Sequence, residues 1–307
     1  MSGYSPVALD SAQGARLAVT TVRFGGSTTV VRHPLSRGSG RATVLLHGAA
    51  GSWTTWTPML RVAADAGAPL AEPVLFDLPG WGDALLARDT AATVDTICDL
   101  VSKALDELGY TEWDLVGHSM GGFIALHLAA TRPQAVRSVA LVSPTAYSVI
   151  ESVTGTVRGA ARIPAFTGLL RAMRVMAPID APVRALVRFL GRTGVLRVFA
   201  APLLRHPFGV DRSAIVALGN ELRPRAFVAA TEVARDYPAD ATWSGITCPV
   251  TAMKGDRDAF VSDYDLERLA AAIPQLRATV IPDCAHFGNI ERPAETLEAL
   301  GLIERAA

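Results

Sequence analysis

The run GHSMG at residues 117–121 has the residue types and spacing to hold a nucleophilic serine, Ser119. An apolar stretch precedes it, and a segment with helical spacing follows at once. A sharp turn from strand to helix strains the backbone of its central residue, so small neighbours are needed, and Gly117 and Gly121 supply them. Such a turn exposes the Ser119 hydroxyl and directs the backbone amide of Met120 toward a carbonyl under attack. The run therefore predicts acyl transfer through a covalent intermediate.

A second run of small residues, HGAAG at residues 47–51, directly follows an unbroken apolar stretch. Acyl transfer needs a second amide donor to share the charge of the oxyanion, and a small-residue loop after a buried strand can provide one. We predict that the donor is the backbone amide of Ala49. We interpret His47 as a structural residue that makes a hydrogen bond within the loop.

Two polar clusters follow later strands and could supply the acid and the base. The first, KGDRD at residues 254–258, contains Asp256 and Asp258, and the second, PDCAH at residues 282–286, ends in His286. The carboxyl ends of parallel strands lie at one edge of a sheet, so both clusters are expected beside Ser119. His286 would accept the serine proton, and a carboxylate would fix the tautomer of its ring. From the residues alone, both aspartates fit the acid role.

The elements that must position these residues form an alternating pattern of strands and helices, which predicts a doubly wound, mostly parallel α/β sheet. The alternation stops between residues 145 and 240, where apolar helical pieces are interrupted by prolines. The simplest interpretation is one α/β core of residues 1–144 and 241–307, with a helical insertion at 145–240. The predicted strands are residues 16–24, 28–33, 42–46, 73–76, 113–116, 136–142, 249–253 and 278–281. The predicted core helices are residues 56–66, 93–108, 119–130, 263–272 and 293–305.

Composition excludes several classes of function. The chain has 307 residues, with 29 basic and 29 acidic side chains, so net charge predicts no nucleic-acid partner. No secretory signal or membrane span is evident, and the three cysteines lack the spacing of a metal site, so we expect a cytoplasmic protein without a metal. Charge is uneven, however: residues 151–240 contain thirteen Arg, no Lys and seven acidic residues.

In this order along the chain, the landmarks resemble those of the α/β-hydrolase family. They are His47-Gly48, the run DLPGWG at residues 77–82, the Ser119 turn, GDRD at residues 255–258, and His286 followed by Glu291 and Pro293. The resemblance implies an eight-stranded core with an α-helical cap inserted after the sixth strand. It also implies Asp258 as the acid of the triad, with Asp256 as the alternative. Family members with an aspartate nucleophile open epoxides or remove halogens, which Ser119 makes improbable here.

The predicted function is therefore hydrolysis of a small-molecule carboxylic ester with an apolar acyl group, without a cofactor. Trp53, Trp81 and His118 are candidate pocket residues, and apolar residues of the cap such as Phe166 and Leu169 could line the same pocket or pack the cap. Arg184, Arg188 and Arg192 would share one helix face, which could attract an anionic substrate or membrane, although a solvated face is the simpler interpretation.

Other functions share the same constellation. A carbon–carbon bond hydrolase of ring-cleavage products is the runner-up, ranked lower because His118 stands where its members often carry Asn. Thioesterase, amidase and cofactor-free perhydrolase activities also stay open. A ligand-binding receptor on the same fold is the alternative that involves no catalysis, and an intact set of Ser119, Asp258 and His286 weighs against it.

Overall fold

A computed structural model of the chain describes residues 4–36, 38, 40–87 and 93–304. Eight strands form one sheet in the order β1-β2-β4-β3-β5-β6-β7-β8. Only β2 runs against its neighbours, because it pairs antiparallel with both β1 and β4, and the other pairings are parallel. The predicted doubly wound, mostly parallel sheet is therefore confirmed. The strands are β1 (Ala18–Phe24), β2 (Ser27–His33), β3 (Arg41–Leu46), β4 (Pro73–Asp77), β5 (Glu112–His118), β6 (Val136–Val142), β7 (Val250–Gly255) and β8 (Leu276–Ile281).

Helices cover both faces of this sheet, and successive residues of the central strands pack into different cores. In β3, Val44 and Leu46 face the core that contains α2 and α3, defined below, whereas Leu45 faces the core that contains α1 and α13. This burial on both faces explains the unbroken apolar runs of the central strands. The core helices are α1 (Thr57–Asp65), α2 (Val94–Glu107), α3 (Met120–Thr131), α11 (Asp263–Ala272), α12 (Gly288–Glu291) and α13 (Pro293–Ala299).

Seven further helices, called here the inserted helices, lie between β6 and β7. Two of them begin at a proline, Pro164 and Pro224, because the first helical position needs no backbone N–H. Pro182 lies in the first turn of its helix and does not interrupt it. The inserted helices are α4 (Tyr147–Thr154), α5 (Val157–Arg162), α6 (Pro164–Met176), α7 (Asp180–Thr193), α8 (Arg212–Glu221), α9 (Pro224–Glu232) and α10 (Ala239–Trp243).

The inserted helices bury apolar clusters that also include residues from the sheet edge. One cluster joins Phe166 of α6 and Phe227 of α9 to Phe260, which follows β7. Another joins Ile215 of α8 to Phe287, which follows β8. The inserted helices therefore pack directly over the loops in which the sequence places the acid and the base.

The last helix is shorter than predicted. It ends at Ala299, with Leu300 as its C-cap, whereas the predicted end at Arg305 lies outside the described residues. A left-handed Gly301 follows the C-cap, a conformation that terminates helices. Within the described ranges, no helix combines the length and the apolar character needed to cross a bilayer.

Candidate active site

Ser119 lies at the turn between β5 and α3 with φ of +51°, a strained conformation for a residue with a side chain. Neighbouring glycines permit this turn. A Cβ atom on Gly117 would lie 2.4 Å from the carbonyl oxygen of Gly121, and one on Gly121 would lie 1.9 Å from the carbonyl oxygen of Leu46. The two glycines of the sequence run are therefore required by close backbone packing on either side of the serine.

The Ser119 hydroxyl is directed toward the start of the inserted helices. Its Oγ atom lies 3.5 Å from Oγ1 of Thr145, and the Thr145 amide donates to the Ser119 carbonyl oxygen at 3.0 Å. Ser119 and His286 line the same cavity, but their side chains are not hydrogen-bonded to each other in this structure. Thr145 was not predicted as a site residue, since a threonine after a strand carries no distinctive pattern.

His286 and Asp258 form a buried pair. The ring Nδ1–H of His286 faces both carboxylate oxygens of Asp258 at 3.1 Å, so in the neutral ring Nε2 keeps its lone pair. Asp258 also accepts hydrogen bonds from the amides of Phe260 and Val261 at 2.8 and 3.1 Å. Burial opposes ionisation of Asp258, but the positive charge and hydrogen bond of His286 outweigh it and hold the carboxyl pKa below its ordinary value.

Asp256 occupies a different position. Its side chain is 37% exposed and accepts a hydrogen bond from the amide of Cys284 at 3.2 Å. Asp256 therefore helps to hold the loop before His286, whereas Asp258 contacts the ring itself. Cys284 is buried, and burial raises the pKa of its thiol, so it stays protonated and serves as a packing residue.

His118 supports the loop of His286 from below. Its Nε2–H donates to the carbonyl oxygen of His286 at 3.0 Å, and the ring centroids of the two histidines lie 4.9 Å apart. Burial, with a smaller contribution from the nearby His286, lowers the pKa of His118 well below its ordinary value. His118 is therefore neutral and contacts His286 without lining the cavity at Ser119.

Glu291, which the sequence marks only as a family landmark, also contacts the loop of His286. Its buried carboxylate accepts hydrogen bonds from the amide of Ala285 at 3.1 Å, from the amide of Arg205 at 2.6 Å, and from the hydroxyl of Tyr4 at 2.9 Å. Burial raises the pKa of Glu291. The carboxylate of Glu291 thus joins the loop of His286 to the inserted segment and to the N-terminal segment.

The predicted oxyanion donors, Ala49 and Met120, both line the cavity beside Ser119. Neither backbone amide donates a hydrogen bond within the described part of the chain. The loop of Ala49 is held by His47, whose Nδ1–H donates to the carbonyl oxygen of Gly48 at 2.8 Å and whose Nε2 accepts from the amide of Leu78 at 3.0 Å. Burial lowers the pKa of His47, so this tautomer is neutral and fixed. The structural role predicted for His47 is confirmed.

The cavity at Ser119 measures about 50 Å³ and is walled almost entirely by apolar side chains. His286 is the one ionisable residue among those that line it, and Ser119, Thr145 and Thr231 are the other polar ones. Most of the remaining wall comes from the inserted segment. Its apolar contributors are Val149, Phe166, Leu169, Leu203, Leu218, Leu222, Phe227, Ala230 and Ala234.

The three predicted pocket residues do not line this cavity. The indole Nε1–H of Trp81 donates to the carbonyl oxygen of Glu221 at 3.1 Å, and the ring of Trp53 packs under the guanidinium of Arg32 at 4.5 Å. Both rings are buried between loops, and His118 is fully buried beneath His286. The prediction that Trp53, Trp81 and His118 line the pocket is therefore wrong. These rings lie near the site in sequence, but in the folded chain they are buried against other residues.

In the described part of the chain, no group of three or more His, Cys, Asp or Glu side chains is arranged to hold a metal ion.

Comparison with known proteins identifies the family of this chain. The model of the alpha/beta hydrolase family matches residues 43–299. A pimeloyl-[acyl-carrier protein] methyl ester esterase of Chromobacterium violaceum is 27% identical over 86% of this chain and 94% of its own length. The enol-lactonase of Burkholderia xenovorans LB400 has the same fold, with a TM-score of 0.69 at 20% identity over 93% of this chain and 100% of that one.

A further relative matches only in part. The dihydrolipoyllysine-residue acetyltransferase component of the acetoin cleaving system of Cupriavidus necator is 40% identical over 112 residues. The match covers 36% of this chain and 29% of that protein. The chain thus spans less than a third of the length of this relative.

Proposed function

This chain belongs to the alpha/beta hydrolase family, and we propose that within it the protein is a serine hydrolase that cleaves carboxylic esters with apolar acyl groups. The observation that carries the proposal is the cavity in which Ser119 and the paired His286 lie among apolar side chains. The match to the esterase of C. violaceum covers most of both chains, and it supports the proposal of ester cleavage.

In the proposed first step, Oγ of Ser119 attacks the carbonyl carbon of the ester while its proton moves to Nε2 of His286. The carbonyl oxygen becomes an oxyanion, which the free amides of Ala49 and Met120 stabilise. When the tetrahedral intermediate collapses, the bond to the alcohol oxygen breaks and the alcohol leaves with the proton from His286. An acyl-enzyme remains on Ser119.

Water completes the cycle. His286 takes a proton from the water as it attacks the acyl carbon, and collapse of the second intermediate releases the carboxylic acid and returns the proton to Ser119. Asp258 keeps its negative charge throughout, because its lowered pKa leaves it ionised while the neighbouring ring becomes a cation. The carboxylate both orients the ring and stabilises that cation.

We further propose that residues 145–240 act as a cap that selects the acyl group. This segment supplies most of the residues that line the cavity, and none of its side chains on that wall is charged. An acyl chain bearing a charge near the carbonyl would lose its hydration without gaining a partner. Neutral, short or branched acyl groups should therefore be preferred over acyl groups with a charge near the carbonyl.

Replacement of the nucleophile tests the proposal. We expect Ser119→Ala to lower kcat for short p-nitrophenyl esters by about three orders of magnitude or more, since triad residues act as a unit. Ser244→Ala, at an exposed serine, is the matched control. A fluorophosphonate probe should label the wild type and leave Ser119→Ala unlabelled. Undiminished turnover in Ser119→Ala would refute the assignment, and a wild type that binds esters without labelling or turnover would favour a receptor.

The two neighbouring aspartates offer a second matched pair within the same test. Asp258→Asn should lower kcat by about three to four orders of magnitude because the amide favours the wrong tautomer of His286. Asp256→Asn removes a carboxylate charge that does not contact the His286 ring, and its amide oxygen can still accept from the Cys284 amide, so the rate should stay close to that of the wild type. The opposite ranking would reassign the acid to Asp256.

A further inference from the structure

A polar cleft of about 400 Å³ lies between the inserted helices and the core. One wall comes from α7 and from the end of α8, and the other comes from the segments at and after the ends of β3 and β4. The cleft shares no lining residue with the cavity at Ser119. Its volume far exceeds the share of about 30 Å³ that one water molecule occupies in the liquid, so a small organic ion has room to enter.

Arginines of α7 bring uncommitted charge to this cleft. Because α7 is unbroken, Arg184, Arg188 and Arg192 share one side of it, as the sequence predicts. Arg184 lies 3.8 Å from the carboxylate of Asp180. In the described part of the chain, the side chains of Arg188 and Arg192 make neither an ion pair nor a hydrogen bond, and both line the cleft. Two guanidinium groups one helical turn apart are therefore available to a ligand.

Two carboxylates that line the cleft, Asp77 and Asp83, are held by one arginine. The guanidinium of Arg32 donates to Asp77 at 2.8 Å and to Asp83 at 2.7 Å. Asp77 is fully buried and also accepts from the backbone amides of Trp53 and Asp83 at 3.0 and 3.2 Å. Both carboxylates thus have partners in the core, and neither lies within ion-pair distance of the arginines of α7.

The third carboxylate in the cleft, Glu221, binds the guanidinium of Arg223 at 2.8 Å and accepts from the amide of Gly82 at 2.9 Å. Burial is the largest cause that lowers the pKa of Arg223, and the positive charges of Arg184 and Arg188 lower it further. Arg188 therefore lies close enough to Arg223 for the two charges to repel each other. When the arginine that binds both aspartates is included, the cleft holds four guanidinium groups and three carboxylates, which leaves a net positive charge.

Uncharged side chains add further hydrogen-bond donors. The half-buried Asn220 lines the cleft, and its side-chain amide makes no hydrogen bond among the described residues. The hydroxyls of Ser52 and Thr54 lie 2.8 Å apart, and since only one of them donates in that hydrogen bond, the other keeps its proton for a ligand. The two walls together thus present guanidinium, amide and hydroxyl donors to the same space.

We propose that this cleft binds a phosphate group, either as free phosphate or as part of a small phosphate ester. Guanidinium groups form strong, charge-assisted hydrogen bonds with phosphate oxygens, and a tetrahedral anion offers oxygens to donors on both walls at once. A planar carboxylate, with two oxygens, would satisfy fewer of these donors. A bound phosphate would also offset the repulsion between Arg188 and Arg223 and would bridge α7 to the core. The proposal concerns binding alone and is independent of the ester hydrolase assignment.

Calorimetric titration of the full chain in a phosphate-free buffer tests the proposal. Inorganic phosphate and glycerol 3-phosphate are titrated separately at constant ionic strength, with sodium chloride as the reference. At least one of the two should bind at one molecule per chain, and it should raise the Tm because it binds the folded state. Tighter binding of glycerol 3-phosphate would identify a phosphate ester as the ligand, and tighter or equal binding of inorganic phosphate would identify free phosphate. Absence of binding by both overturns the proposal.

A matched pair of double variants locates the site on α7. Arg188→Gln with Arg192→Gln should weaken phosphate binding by roughly tenfold or more, because charge-assisted hydrogen bonds are lost. Arg158→Gln with Arg171→Gln removes the same charge at exposed positions of the inserted segment outside the cleft, and should leave the affinity unchanged. Circular dichroism checks that both variants are folded. Equal loss in the two double variants would show that binding follows net charge only, and would overturn the site.

The core wall is tested separately. Ser52→Ala with Thr54→Val removes both hydroxyls and should weaken phosphate binding by roughly threefold or more, since neutral hydrogen bonds are weaker than charged ones. Unchanged affinity in this variant would contradict a phosphate that bridges α7 to the core.

Discussion

His47 shapes the candidate site without facing the cavity. In a planar trans peptide, the carbonyl and the following N–H point in opposite directions. The carbonyl oxygen of Gly48 accepts from Nδ1 of His47 at 2.8 Å and from the amide of Gly51 at 3.1 Å, so its direction is fixed twice. The N–H of Ala49 must therefore point the other way, and Ala49 borders the cavity. His47 is a positioning residue for the proposed oxyanion donor.

This geometry predicts the effect of removing the ring. His47→Ala should lower kcat for p-nitrophenyl esters by roughly one to three orders of magnitude, the range expected when an oxyanion donor is lost, with a much smaller change in KM. His33→Ala, at a buried histidine of β2 outside the site, is the control. Rates are measured per site labelled by a fluorophosphonate, so that unfolded protein is not counted. A change in KM alone would contradict a role in aligning the amide.

The residues differ in how far the sequence could predict them. Ser119 stands in a recognisable run. The strand-end rule placed both aspartates and His286 beside it, and only the family resemblance pointed to Asp258, which contacts His286 in the structure. The catalytic roles of these residues remain predictions. Glu291 contacts the amide of Arg205 and the hydroxyl of Tyr4, which are distant in sequence, so no local pattern reveals these contacts. The same limit explains Trp53 and Trp81, whose rings pack according to partners that only the folded chain provides.

Among the elements, α7 and α8 pack unusually closely. A Cβ atom on Gly219 would lie 3.0 Å from Cα of Gly191 and 3.0 Å from the carbonyl oxygen of Val187. Two glycines facing each other let the helix backbones approach, and they hold Leu218 and Leu222 at the cavity. The position of this part of the cavity wall therefore depends on the close contact of α7 and α8 at Gly191 and Gly219.

A larger residue at the crossing should separate the two helices. We expect Gly219→Leu to lower the free energy of unfolding by about 1–3 kcal/mol, the usual cost of overpacking. Gly168→Leu is the matched control, because Gly168 lies in α6 with open space around its Cβ position. Leucine there should stabilise the helix by about several tenths of a kcal/mol. Urea unfolding of both variants measures the difference. Equal effects of the two substitutions would show that the crossing is not tightly packed.

The core elements were more predictable than the inserted ones. Buried parallel strands have a strong signal, and β3, β4 and β6 begin and end within one residue of their predicted bounds. Apolar spacing also predicted helical pieces between residues 145 and 240, and seven α-helices lie between β6 and β7 in the structure. Spacing cannot show which apolar face meets the cavity: Phe166 and Leu169 line it, whereas Phe189 and Phe199 are exposed.

For the whole molecule, three buried histidines link stability to pH. Burial is the largest cause that lowers the pKa of His47, His118 and His127, and the contact of His127 with Asp95 opposes it only in part. A histidine with a lowered pKa in the folded state is protonated first in the unfolded state. Its contribution to stability is therefore complete above the unfolded pKa of about 6.5 and is lost as the pH falls below that value.

We therefore expect the free energy of unfolding to decline from about pH 6.5 downward, with a slope of at most about 1.4 kcal/mol per pH unit for each of the three histidines. Urea unfolding at several pH values between neutrality and about pH 5 measures this slope. His127→Gln, outside the candidate site, should reduce the slope by up to about 1.4 kcal/mol per pH unit, because one of the three rings is gone. His206→Gln, at a ring that is 42% exposed, should leave most of the slope in place. Equal slopes in the wild type and in His127→Gln would show that this ring takes up protons in the folded state as readily as in the unfolded chain, and would contradict the prediction.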